Sequence, residues 1–448
     1  MNSAWYQSNP ALYYLRGCLR GLPYSLSLRE FTLAEPLFDI LTRIVRDRPD
    51  VACFSAYVWN SGQLRQLLPE LKKLQPGLKI VLGGPEALDG AFGMSEGDFV
   101  VKGPGEGVFR VLAEAGFKLP GGVYEAPAPA LRDLPFPYHK TDQAALQGKL
   151  VYYESSRGCP FRCAYCLSAL DTRNEARFDP SLASDRRKLY SELDRLLELK
   201  PRTLKFVDRS FNAHPSLARL IWDHAIRQGE ACEFHFEIYP DLLTEEDLLI
   251  LEKAPPGRIR FEVGVQTVNP AVARACGRNS NWRKVKAALN ALRERTRICV
   301  HADLLVGLPG ESYPSVLHSL DELASTLPAE IQLGMLKILP DTPMRDIAAQ
   351  RGYLWLKDPP WQVLQTDALS FEQVARLQEL AKIINLYWNK AEFSAQWREL
   401  LCAGNRASRI CLRLLKLHQH KGLTLHSVAK GTRAEVIAEL LRDWSRGR

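Results

Sequence analysis

The chemically richest stretch of the chain is Arg157-Gly-Cys159-Pro-Phe-Arg-Cys163-Ala-Tyr165-Cys166, with its cysteines spaced Cys-x3-Cys-x2-Cys. Three thiolates on one short loop can hold three irons of a [4Fe–4S] cluster. The fourth iron then keeps an open position for a substrate or cofactor, and Tyr165 supplies an aromatic wall beside it. A zinc site is the competing reading. Zinc usually takes four nitrogen or sulfur ligands, and the nearest histidine, His139, stands 20 residues before Cys159. The other cysteines, Cys18, Cys53, Cys232, Cys276, Cys299, Cys402 and Cys411, are scattered and read as small buried apolar residues.

The triplet directly follows the first of six strand candidates: Val151–Ser155, Thr203–Val207, Glu233–Ile238, Arg258–Val265, Ile298–Val306 and Glu330–Lys337. Helical stretches such as Ala183–Leu199 and Trp282–Arg295 separate them, which predicts a partial (β/α)6 barrel of the TIM type. Upstream, Asn9–Leu22, Ala34–Arg48, Gly62–Leu74 and Gly107–Ala115 read as helices. Asp50–Val58, Leu78–Leu82 and Phe99–Lys102 read as strands, and Tyr24–Leu33 as a strand or extended segment. The alternation predicts an α/β fold with a Rossmann-like parallel sheet, which takes ligands at the carboxyl ends of its strands. Lys118–Lys140 holds five prolines and reads as a linker. After Thr366 the strand signals fade; Ser370–Trp388, Glu392–Leu401 and Glu435–Trp444 read as helices. The expected division is 1–118 for the first domain, 119–145 for the linker, 146–345 for the barrel and 346–448 for a mostly helical basic domain.

With the triplet placed after a first barrel strand, the sequence resembles the radical SAM superfamily, whose signature is this Cys-x3-Cys-x-aromatic-Cys loop. The resemblance implies that S-adenosylmethionine chelates the open iron, and that the reduced cluster cleaves it to methionine and a 5′-deoxyadenosyl radical. It further implies S-adenosylmethionine contacts at Tyr165, at Asp208 and Arg209 after the second strand, and at Glu237 on the third. Gln266 on the fourth strand, with Asp303, Gly307 and Leu308 on the fifth, completes the set. The usual Gly-Gly-Glu is replaced here by Asp208-Arg209-Ser210.

The domain order resembles, more narrowly, the cobalamin-binding radical SAM proteins, in a subfamily whose barrel is followed by a C-terminal domain of unknown function. The stretches 9–15, 54–60, 81–86, 102–106 and 206–212 carry that resemblance. It implies a cobalamin site at three loops: Ser55, Tyr57, Trp59 and Asn60; Gly83, Gly84, Pro85 and Glu86; and Gly103, Gly105 and Glu106. The glycine pair would leave room for a bulky corrin, and the polar and aromatic side chains would offer hydrogen bonds and a flat surface. A nucleotide site is the competing reading, but Gly-x-Gly-x-x-Gly after a first strand is missing. Residues 1–138 contain no histidine, so this domain has no imidazole to ligate cobalt. That favours five-coordinate methylcobalamin. Such a domain normally opens with a strand before its first helix, and here eight residues precede Asn9.

The composition, 46% hydrophobic and 25% charged, is that of a globular protein rather than a disordered one. No apolar run is long enough for a membrane span and no signal peptide is seen, so a cytoplasmic site is expected. The net charge of +8 is local. The last 81 residues carry 14 basic and 7 acidic side chains, whereas residues 141–367 carry 30 of each. Those basic helices read as solvated faces; docking of an acidic partner, a carrier protein or tRNA is the alternative, so nucleic acid is not indicated but not excluded there. The leading expectation is methyl transfer to an unactivated carbon through methylcobalamin and a 5′-deoxyadenosyl radical, with a flavodoxin- or ferredoxin-type electron donor and an unidentified substrate. A non-methylating rearrangement, cyclisation or alkyl transfer with the same cofactors is the first alternative. A non-catalytic cobalamin or redox sensor is the alternative of another class.

Overall fold

The structure, a computed structural model, describes residues 1–88, 90–228 and 231–446. The first sheet holds four parallel strands, β1 (Val51–Ser55), β2 (Lys79–Gly83), β3 (Phe99–Lys102) and β4 (Gly122–Glu125), in that spatial order. Successive side chains leave a strand on opposite faces. Ala52, Ile80 and Leu82 therefore pack with the helices Leu37–Arg46 and Ser61–Leu74, while Val81, Phe99 and Val101 pack with Glu106–Glu114.

One expectation is corrected here. The proline-rich 119–145 is not a free connector. Gly122–Glu125 is β4 itself, and Leu131, Leu134, Tyr138 and Leu146 are buried. Proline forfeits a donor, but the chain between prolines still pairs and packs. Tyr24–Leu33, expected as a strand or extended segment, contains no strand. Its one ladder contact is a bridge from Thr32 to Asn2, and Gln7 bridges instead to Leu150 of the barrel.

The second sheet is parallel throughout, with β5 (Leu150–Tyr153), β6 (Thr203–Phe206), β7 (Glu233–Ile238), β8 (Ile259–Gln266), β9 (Cys299–Val306) and β10 (Glu330–Met335) adjacent in chain order. Strands of such sheets are usually apolar on both faces. These alternate, because one face packs on helices through Phe234, Phe236, Phe261 and Val263 while the other lines the barrel lumen with charged side chains. The six predicted strands coincide with the observed ones to within two residues at either end.

Beyond the barrel come the helix Pro343–Gln350 and an antiparallel hairpin, β11 (Leu354–Trp355) and β12 (Val363–Gln365). The hairpin has too few residues for a period-2 pattern and was not expected. The helices Phe371–Ile383, Ser394–Cys402, Ala407–His420 and Lys430–Arg446 follow. They dock where β10 begins. Asn389 donates its side-chain amide to Ile331 O at 3.0 Å and accepts from Ile331 N at 2.9 Å, which satisfies the edge strand. Among the described residues no helix is long and apolar enough to cross a membrane.

Candidate functional site

The cysteine loop leaves β5 and is closed by antiparallel pairing of Ser156–Arg157 with Glu175–Ala176. Gly158 sits at φ +85, where an added Cβ would lie 2.8 Å from Asn174 N and 2.9 Å from Asp171 O. Only glycine fits that approach. Cys159 N donates to Asp171 O at 2.9 Å, and Ala164 N to Cys276 O at 2.8 Å, so the loop backbone is held at both ends. Cys159 and Cys163 are buried and Cys166 is half-buried. Burial pushes the Cys159 thiol up; Phe161 N–H and Ser210 counter this, and the neighbouring Cys166 and Cys163 add to it. Mutual repulsion of close thiolates is what bound iron relieves, so this donor set fits a cluster. Two neighbours were not foreseen. Ser210 Oγ lies 3.6 Å from Cys159 Sγ, and Arg278 Nη1 lies 4.0 Å from Cys163 Sγ.

The turn after β6 divides its expected roles. Asp208 is 1% exposed and accepts from Ser155 N at 3.0 Å, Ser155 Oγ at 2.6 Å and Ser156 Oγ at 2.7 Å. Burial raises its carboxyl to about 7 against those bonds. It buttresses the strand that launches the cysteine loop and is not free to meet a ligand, a correction to the expected contact. Arg209 is 55% exposed at the lumen mouth, 4.0 Å from Glu237, and bears on Cys166 and Tyr57 as well.

Glu237 projects into the lumen within a lattice that the sequence reading missed apart from Glu237 and Asp303. Lys205 Nζ lies 2.7 Å from Glu262 and 3.3 Å from Glu237, and His235 Nε2 lies 3.1 Å from Glu262. His301 stands between Asp303 at 3.0 Å and Glu330 at 2.8 Å. Burial pulls the His301 imidazole down, but the two carboxylates outweigh it and raise it to about 9. The alternation of charged and apolar residues along β7, β8 and β9 was the available signal.

At the end of β8, Gln266 adopts φ +69 after a bulge and folds its amide over Gly264. Asp303 is half-buried in the lumen, and burial raises its carboxyl. Tyr165 packs its ring against the apolar cluster of Leu308 and Leu336, with its buried hydroxyl beside Arg278 and Cys163. Two expectations at β9 change. Leu308 is fully buried in that cluster, so its side chain cannot line a site. The space beside Gly307 is taken by Val363 and Leu336, 3.0 and 3.3 Å from where a Cβ would stand.

At the carboxyl ends of β1, β2 and β3 lies a cavity of about 260 Å³ that opens to solvent. Ser55, Tyr57, Gly83, Gly84, Gly103, Gly105 and Glu106 line it as expected. The helix Pro10–Cys18 adds Tyr14 and Leu15, and the barrel adds Glu154, Arg157 and Val207. Four expected residues lie outside the lining. Trp59 is half exposed and stacks on Tyr57 at 4.5 Å, and Pro85 is exposed. Asn60 is fully buried, accepting from Tyr57 N at 2.8 Å and donating to Ser55 O at 2.9 Å, so it shapes the turn. Glu86 is buried and accepts from the Trp361 indole. Gly84 lines the cavity and also serves the loop's own backbone, since an added Cβ would fall 2.5 Å from Ala56 O.

Arg157 joins cavity and barrel, with Glu106 at 2.8 Å and Glu154 at 2.7 Å. Glu106 Oε2, Arg157 Nη1 and Tyr14 Oη, all on lining residues, are buried without a partner among the described residues. A corrin ringed by amide side chains has the donors and acceptors to satisfy them, so the cavity fits cobalamin. Among the described residues no histidine lines it.

Residues 6–113 match the B12 binding domain, 153–323 the Radical SAM superfamily, and 349–442 a protein of unknown function, DUF4080. The chain is 27% identical to a 2-(S-pantetheinyl)-carbapenam-3-carboxylate methyltransferase of Streptantibioticus cattleyicolor, over 68% of this chain and 49% of that one. It is 24% identical to the cobalamin-dependent radical SAM methyltransferase TokK of Streptomyces tokunonensis, over 70% and 50%. The chain thus spans about half the length of these relatives. In fold it is similar to the radical S-adenosylmethionine methyltransferase TsrM of Kitasatospora setae (TM-score 0.59, 19% identity, covering 78% and 74%). It is also similar to the cobalamin-dependent S-adenosylmethionine radical enzyme OxsB (TM-score 0.62, 12% identity, covering 98% and 78%). The domains imply a [4Fe–4S] cluster, S-adenosylmethionine and cobalamin as cofactors.

Proposed function

For a cobalamin-binding radical SAM protein whose barrel is followed by a domain of unknown function, as this chain is, we propose methyl transfer to an unactivated carbon as the reaction. One observation carries the reading. Glu154, Arg157 and Val207 at the barrel mouth also wall the cavity above the first sheet, so a substrate there would meet both cofactors. When bound, the cofactors would supply a methyl carrier and one-electron cleavage of S-adenosylmethionine.

The chain's own residues do the holding. Cys159, Cys163 and Cys166 would ligate the cluster, with Ser210 and Arg278 beside the sulfurs as donors. Arg209 and Glu237 would receive the polar groups of S-adenosylmethionine at the lumen mouth, with Gln266 and Asp303 across it. Ser55, Tyr57, Gly83, Gly103 and Gly105 would seat cobalamin, and the Tyr57 ring would exclude water from its face. The relatives named as methyltransferases support this choice of reaction. A cytoplasmic site and an external low-potential electron donor complete the proposal.

The test is anaerobic reconstitution with iron, sulfide and cobalamin, followed by product analysis. S-adenosylhomocysteine together with 5′-deoxyadenosine is the expected result. 5′-Deoxyadenosine alone would move the reading to a non-methylating reaction, and no cleavage of S-adenosylmethionine would overturn it.

A further inference from the structure

We propose that residues 342–366 form a strap that fixes the first domain against the cysteine loop, with Trp361 as the positioning residue for the cavity wall. The inference rests on the reading that cobalamin occupies that cavity. It gives a role to residues 349–366, which lie within the match to a protein of unknown function.

At one end the strap grips the cysteine loop. Met344 N donates to Ala164 O at 2.9 Å, and Met344, Ala348, Tyr353 and Val363 pack in one apolar cluster with Ala164 and Tyr165. In the middle it extends the barrel edge. Val363 N donates to Leu336 O at 2.9 Å, and Lys337 bridges to Gln362.

At the other end Trp361 reaches the first domain. Its indole nitrogen lies 3.1 and 3.3 Å from the two carboxylate oxygens of Glu86, a residue 275 positions away. Both side chains are buried, at 6% and 3% exposure, so the charge-assisted bond is shielded from water. Trp361 holds φ +58, an uncommon conformation for a bulky residue, and Ile338 N donates to its carbonyl at 2.8 Å. The Arg345 guanidinium covers the ring at 5.4 Å. An ion pair of Arg65 with Asp358 at 2.9 Å adds a second tie, though Asp358 is largely exposed and such pairs contribute little.

Glu86 cannot move alone. Its N–H donates to Ala56 O at 3.2 Å, and Gly84 lies so close to Ala56 that no Cβ would fit. A displaced Glu86 therefore drags the Gly83–Gly84 wall of the cavity.

The test uses the full chain with reconstituted cluster. Trp361→Phe keeps an aromatic ring and loses the indole N–H; Glu86→Ala removes the acceptor, and Glu86→Gln keeps an acceptor oxygen. Amide hydrogen exchange over 81–88, measured without cobalamin, is expected to quicken about tenfold in the first two variants, as loss of a hydrogen bond to a charged group would give. Cobalamin should bind those variants about tenfold more weakly, read by absorbance titration, with iron content and S-adenosylmethionine affinity unchanged. Glu86→Gln should restore most of both. Unchanged exchange in Trp361→Phe and Glu86→Ala would overturn the strap. Faster exchange with unchanged cobalamin affinity would overturn the positioning role. Should Trp361→Phe not fold, the two Glu86 variants decide. A wild-type chain that binds no cobalamin would sink the function proposed above, while the exchange measurement would still decide the strap.

Discussion

The cavity above the first sheet is walled by glycines, aliphatic side chains and the Tyr57 ring, with Glu106, Glu154 and Arg157 along its barrel side. The adjoining lumen holds two ion-paired groups, Lys205 and His235 with Glu237 and Glu262, and His301 with Asp303 and Glu330. The cavity stands at the carboxyl ends of its strands, whereas the lumen charges run along theirs from Glu330 at a strand start to Glu237 near a strand end, so one region presents shape and the other presents charge. Burying a large flat group needs apolar area and a few donors. Binding a small zwitterion beside a cluster needs fixed charges, which stay ionised in a partly dry lumen only when matched. Arg157 belongs to both regions, which makes it the point where they can be uncoupled.

The largest separation should come from the cysteines. Replacing Cys159, Cys163 or Cys166 by Ala should abolish iron retention and S-adenosylmethionine cleavage and leave cobalamin binding intact. Loss of cobalamin in those variants would show that the regions are not independent sites. Arg157→Ala strikes both. It leaves Glu106 and Glu154 as uncompensated buried carboxylates, so chemical denaturation should show a loss of about 3 kcal/mol.

Next comes a pH effect confined to the barrel. Glu311 is 1% exposed, and burial raises its carboxyl to about 7 even though Thr267, Ser315 and Ser319 oppose the shift. The folded state therefore holds the proton more tightly than the unfolded chain. Stability from this group is full below about pH 4.3, the ordinary glutamate value, and falls through about pH 7, by up to about 1.4 kcal/mol per pH unit. Glu311→Gln should flatten that slope in denaturation curves measured from pH 4 to 8. An unchanged slope would assign the proton elsewhere. The smallest effect is expected in the first domain. Asn60→Ala should cost about 1–2 kcal/mol by unpairing Tyr57 N and Ser55 O. Ser55→Ala should cost about 1 kcal/mol, by unpairing the buried Asn9 amide, and change cobalamin affinity as well.

Several polar residues at strand ends were expected to meet ligands and turned inward instead. Asp208 bonds Ser155 and Ser156, Asn60 bonds its own turn, and Glu86 meets Trp361. A short polar side chain beside a turn has the loop's own backbone as a competing partner, and residue type does not distinguish the two. Arg209, Glu237 and Tyr57 remain at the openings where they were expected. Ser210 and Arg278 escaped notice because their nearness to the sulfurs spans 51 and 115 positions.

The sequence alone determined the three cysteines, the six barrel strands and the order of the domains, because spacing on one loop and alternation along a strand are local properties. It also determined that the first 138 residues contribute no imidazole. The tertiary structure alone decided that cavity and lumen share a wall at Arg157, and that Trp361 closes on Glu86. Those contacts join segments far apart in the chain, through burial and charge pairing that leave no periodic trace in the residues between.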